Sequence, residues 1–166
     1  MENSAESYKK KVSLKNMEYT RFIGIRYALA LLFFANLNWF VSLIVSKSPL
    51  LFIPLLLLMY ITLPIYEQIR LYGNKETSLK HIKKYFTIQL IVNILLLALS
   101  LFSSFYRMAF PFMATSLQGF IGIVFVLILG TLIVATSLRK LVKIHNKKDR
   151  LYKEVLKYKK ALKVSE

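Results

Sequence analysis

Four apolar stretches, residues 27–46, 49–66, 85–106 and 119–138, contain no Asp, Glu, Lys, Arg or His. They are 20, 18, 22 and 20 residues long. A helix rises about 1.5 Å per residue, so roughly 20 apolar residues cover the ~30 Å hydrocarbon core of a bilayer. Hydrocarbon offers the backbone no hydrogen-bond partner, which makes a helix the form each stretch must take. The fold class expected is therefore all-α: an integral membrane four-helix bundle spanning 27–138. A basic N-terminal segment, 1–26, precedes it, and a basic amphipathic C-terminal helix, 139–166, follows.

Charge placement predicts the orientation. Of the 24 Lys and Arg, 22 lie before the first stretch, between the second and third, or after the fourth. The other two gaps hold Lys47 and Arg107 and no acid. Basic residues accumulate in cytoplasmic loops, so both termini are expected in the cytoplasm of a multi-pass cell-membrane protein. Most of the +16 net charge then faces the anionic inner leaflet, where each nearby Lys or Arg contributes about 1 kcal/mol. That placement disfavours nucleic acid as a partner. The excess of Lys over Arg, 18 to 6, suggests a low-GC bacterial source. No small-x-small cleavage site follows the first stretch, which reads as a retained anchor.

Punctuation within the chain is sparse. Lys47, Ser48 and Pro49 are expected to make a tight hairpin, and Gly73 and Asn74 the turn before the third stretch. Pro54 and Pro64 are expected to kink or locally unwind the second helix. The loop from Arg107 to Gln118 is apolar, through Met108, Phe110, Pro111, Phe112 and Met113, and should lie in the headgroup layer or cover the bundle's outer end. Trp39, Tyr60, Tyr66, Tyr85 and Tyr106 suit interfacial aromatic belts. Residues 1–17 are expected as a frayed or interfacial segment.

Ionisable residues inside a membrane usually mark ion or substrate paths. Here the intramembrane polar groups are amides and hydroxyls. Gln89, Asn93, Ser100 and Ser104 share one helical face. Asn36, Asn93 and Thr131 fall at a common depth, which predicts a mid-membrane polar layer. It would serve either to bond helices together or to line a conduit. Cysteine is absent. His81 and His145 have no His or carboxylate at ligand spacing, and phosphate-loop, serine-elbow and zinc-protease patterns are lacking. No cofactor or metal is expected, and a lipid-modifying enzyme would want a carboxylate or His pair near the interface. In the tail, Leu151, Val155, Tyr158 and Leu162 recur at helical spacing among Lys and Arg, as in a membrane-surface or partner-binding helix. Arg26, just before the first stretch, is expected to reach inner-leaflet phosphates.

The segments Tyr19-Thr-Arg-Phe-Ile-Gly-Ile-Arg-Tyr27 and Phe33-Phe-Ala-Asn-Leu-Asn-Trp39 resemble small four-helix membrane proteins of Gram-positive bacteria. Some of those are labelled accessory components of a sugar phosphotransferase system. The resemblance implies the membrane class. It does not extend to phosphoryl transfer, since a sugar-conducting subunit needs many more helices and a phosphocarrier is a soluble domain around an active His. The expected function is that of a non-enzymatic accessory or immunity-type subunit, acting through helix and tail contacts with another membrane protein or itself. The alternative is a homo-oligomeric channel or carrier for a small neutral or anionic solute. Topology is directly testable: reporters fused at Gly73 and Glu166 should read cytoplasm, and one at Ala114 the outside. A cytoplasmic signal at Ala114 would eliminate the four-crossing arrangement.

Overall fold

The computed structural model describes residues 2–73 and 79–164, and among them every regular element is helical. Four helices are long and apolar enough to cross a membrane, which marks a multi-pass membrane protein. Helix α1 is Glu2–Thr20 and α2, the first crossing, is Ile23–Val45. A 3-10 turn at Pro49–Leu51 leads directly into α3, Phe52–Gly73. Helix α4 is Lys80–Leu99, the short α5 is Ser103–Ala109, α6 is Leu117–His145 and α7 is Arg150–Val164. Of the turn expected at Gly73 and Asn74, Gly73 ends α3, and Asn74 falls among residues 74–78, outside the described residues.

Three expectations are corrected. Residues 2–17 are helical within α1 rather than frayed, and α1 packs on α7. The third crossing does not run from 85 to 106. It begins at Lys80 and ends at Leu99, and Ser100–Phe102 break it from α5. Serine competes with the helical ladder: the Ser100 hydroxyl donates to the Leu97 carbonyl at 2.8 Å, and Phe102 turns extended. The second crossing stays helical through Pro64, so of the kink and the local unwinding expected there the unwinding does not occur. Pro54 sits in the first turn of α3, where a missing N–H has no intrahelical partner, and both prolines are fully buried.

The crossings form a ring in which α2 and α4 each pack on α3 and α6, so α2 and α4 stand at opposite corners. Two apolar clusters fill the interior. One gathers Ile25, Leu29, Leu32, Ile61, Phe86 and Val134; the other gathers Leu96, Tyr106, Phe110, Ile123 and Leu127. Outward-facing residues such as Leu56, Met59 and Phe125 stay exposed, as a hydrocarbon solvent permits.

Helices α2 and α6 end alike. Ser48 N–H donates to Leu43 O at 3.0 Å, and Lys148 N–H donates to Lys143 O at 2.9 Å. Lys47 and Lys147 take the left-handed conformation, φ 52° and 55°, where glycine is commonest. Each places a cation at the negative end of a helix dipole, which offsets part of the steric cost.

The apolar loop covers one end of the bundle. Trp39 Nε1 donates to Ala109 O at 2.8 Å and Ser48 Oγ to Met108 O at 2.6 Å, tying α5 to α2 and to the first hairpin. Tyr106 OH donates to Ala114 O at 3.2 Å. The loop then passes so close to the start of α6 that a Cβ on Gly119 would overlap the Ala114 carbonyl oxygen. Gly119→Ala should therefore destabilise the protein by about 1–3 kcal/mol in detergent unfolding. Gly122→Ala, where a Cβ meets open space, should leave the midpoint unchanged.

Candidate functional site

Between the two apolar clusters lies a polar layer, built across the diagonal of the bundle. Asn36 of α2 is buried and its Nδ2 donates to Gln89 Oε1 at 3.0 Å and to the Tyr85 hydroxyl at 3.2 Å. Tyr85 OH donates in turn to Gln89 Oε1 at 3.1 Å. One turn along α4, Gln89 Nε2 donates to Asn93 Oδ1 at 3.0 Å. Tyr85, Gln89 and Asn93 are all buried. The long Tyr85 and Gln89 side chains link α4 to α2, which are not neighbours in the ring. Gly130 of α6 leaves room beside Asn93, since a Cβ there would sit 3.1 Å from Asn93 Nδ2.

The structure thus brings Asn36 and Asn93 into one hydrogen-bonded chain, linked through Gln89. Thr131 stands apart from it, because its hydroxyl donates to Leu127 O of its own helix at 2.8 Å. Ser100 is buried but bonds locally, and Ser104 is exposed on α5. Tyr85 is fully buried at the centre of the layer rather than in an interfacial belt, and Tyr106 is buried against Phe110 and Phe120. The signal for Tyr85 was its position four residues before Gln89, on the same helical face.

A second polar constellation sits where α1 and α7 meet the crossings. Arg21, in the break between α1 and α2, clasps Asp149 with two parallel bonds. Nε donates to Oδ2 at 2.8 Å and Nη2 to Oδ1 at 2.6 Å. Nη2 also donates to Ile144 O at 3.2 Å, one of the last carbonyls of α6. Asp149 Oδ2 accepts from the Tyr152 N–H at 3.1 Å, capping α7, and the Arg21 guanidinium lies 4.9 Å from the Tyr152 ring centroid. One arginine therefore joins the end of α6 to the start of α7. Lys159 of α7 adds a 2.8 Å ion pair to Glu18 of α1.

The stripe on α7 is occupied by its own chain. Helix α7 packs on α1, Val155 is buried, and Leu151 and Tyr158 are half-buried. The Leu162 side chain lies outside the described residues. A cleft of about 510 Å³ remains between the two helices, lined by Tyr8, Val12, Met17 and Leu151 among others. Arg26 does not extend towards solvent. Its Nε donates to Gln68 Oε1 at 3.2 Å, and its guanidinium rests on the Tyr19 ring. Arg26 Nη2 and Gln68 Nε2 are enclosed donors with no acceptor among the described residues. Buried Glu67 of α3 accepts from the His81 and Ile82 N–H groups at 3.2 and 3.0 Å. It caps α4, whose own N-cap position is Leu79. The side chains of His81 and His145 are exposed on separate helices.

Compared with protein-family models, with curated proteins and with solved structures, the chain matches none.

Burial works to raise the Asp149 pKa, but hydrogen bonding and Coulomb attraction from Arg21 outweigh it and hold the carboxyl below its ordinary value. A depressed pKa in the folded state gives a contribution present above the unfolded value of about 3.9. That contribution is lost as pH falls through the folded value. Distances between spin labels on α1 and α7 should therefore hold from neutral pH down to about 4 and lengthen below it. Arg21→Ala should weaken the docking by about 3 kcal/mol at neutral pH, because it strands a largely buried carboxylate.

Proposed function

We propose that this chain is a non-enzymatic membrane protein of the accessory or immunity-subunit kind, working through contacts rather than through transport or chemistry. The observation that carries this reading is the diagonal hydrogen-bonded layer. Asn36, Gln89 and Asn93 bond to one another, and the Thr131 hydroxyl bonds its own backbone, so the amides act as a brace between helices. A conduit would instead present these groups to a water-filled path.

In this reading both termini are cytoplasmic, and α1 and α7 form a basic layer against the inner leaflet of a bacterial cell membrane. The Lys- and Arg-rich loops support that orientation, and the attraction to anionic lipid follows from the excess of basic residues on that side. The Arg21–Asp149 clasp makes the layer a defined surface rather than a loose tail. Its α7 stripe serves α1, so contact with a partner falls to the basic outer faces and to the lipid-facing sides of the crossings.

Purified protein in anionic-lipid vesicles should release entrapped chloride and glycerol no faster than protein-free vesicles. Native purification from membranes should recover an assembly larger than the 19.3 kDa chain. Asn93→Leu should cost about 1 kcal/mol or less and leave that assembly intact. Solute release that Asn93→Leu abolishes, with the protein still accumulating in the membrane, would replace this reading with the channel alternative.

A further inference from the structure

Helix α2 carries two asparagines two residues apart, and they point in nearly opposite directions. Asn36 faces inward to the diagonal layer; Asn38 is exposed on the lipid side. Asn38 sits seven residues before Val45, roughly 10 Å inside the end of the helix and thus within hydrocarbon. Its Nδ2 donates to Phe34 O of its own helix at 2.8 Å. A carboxamide has two donors and an oxygen with two lone pairs. Among the described residues, no hydrogen bond reaches the Asn38 side-chain oxygen, and lipid tails supply none.

The surroundings of Asn38 are those of a helix seam. Tyr27, Leu31, Phe34, Asn38, Val41 and Val45 recur at alternating spacings of four and three, and all are exposed. An amide at one position of such an apolar seam sets register and partner number. The lipid-facing sides of the other crossings differ. Their exposed polar residues Thr62, Thr87 and Thr136 each spend their single hydroxyl proton on a carbonyl of their own helix. They need no neighbour. Asn38 does.

We infer that the exposed face of α2 is an interface for a second copy of this chain, with Asn38 bonded to its symmetry mate. A partner for this face must present both a donor and an acceptor at one depth, flanked by apolar residues. A twofold-related α2 meets that requirement automatically, because a carboxamide is self-complementary and a twofold places the two Asn38 side chains level. The inference rests on the reading above, which leaves the lipid-facing sides of the crossings for partner contact, and it uses neither the diagonal layer nor α1 and α7.

The chain has no cysteine, so single substitutions report without background. In membranes treated with a mild oxidant, Val41→Cys on the seam should form a disulfide-linked dimer. Met59→Cys, on the exposed face of α3, should not. Adding Asn38→Leu to Val41→Cys should lower crosslinking on the order of tenfold, and Asn38→Gln should retain most of it. Asn38 lies outside the core, so membrane accumulation should match in all variants. Equal crosslinking at positions 41 and 59, or crosslinking indifferent to Asn38→Leu, overturns the inference. So does a Val41→Cys product joined to a different protein. Solute release from vesicles reads the diagonal layer instead, so the failure of either proposal can be told from the other.

Discussion

Hydrocarbon cannot accept or donate a hydrogen bond, and that constraint organises the interior of this protein. The backbone answers it with helices, but Asn36, Gln89 and Asn93 add side-chain groups that need partners of their own. They find partners in one another and in the Tyr85 hydroxyl. Because α2 and α4 stand at opposite corners, this chain of amides is a cross-brace rather than a contact between neighbours. It separates two apolar clusters and restricts how the helices may slide or rotate, since any shift would leave an amide unpaired.

The ends of the bundle follow a related logic with different materials. At one end, backbone carbonyls of a short helix are captured by Trp39 and Ser48, so an apolar loop becomes a cover. At the other, helix termini are satisfied by charged side chains from distant parts of the chain. Glu67 caps α4, while Arg21 meets both Asp149 and the last turn of α6. Neither is a local cap. Each spends one side chain to hold two elements, which is how α1 and α7 come to be fixed to the crossings rather than tethered to them.

Much of this was legible in the chain. Charge-free stretches of bilayer length admit one backbone solution, and depth along a helix is counted in residues, so Asn36 and Asn93 could be placed at one level. Direction around the helix was harder. The wheel placed Gln89 and Asn93 on one face, but not which of Asn36 and Asn38 turned inward, nor that Thr131 would bond Leu127. Length also misled at the third stretch. Hydropathy continues through Ser100 to Tyr106, whereas the helix gives way at Ser100, where a hydroxyl competes for the backbone. The α7 stripe was recognisable as a seam, but its occupant, α1, is polar enough that its sequence announces no matching face.

What the sequence by itself determined is the solvent and the architecture it compels. Runs without charge, bounded by Lys and Arg, must be buried in lipid as helices, because an unpaired backbone there costs too much. What the tertiary structure alone decided is which polar groups meet. Asn36 with Gln89, Arg21 with Asp149 and Glu67 with the start of α4 join residues 53, 128 and 15 positions apart. Such pairings depend on which helices become neighbours and how each is rotated. That is settled by packing over the whole ring, and no local pattern carries it.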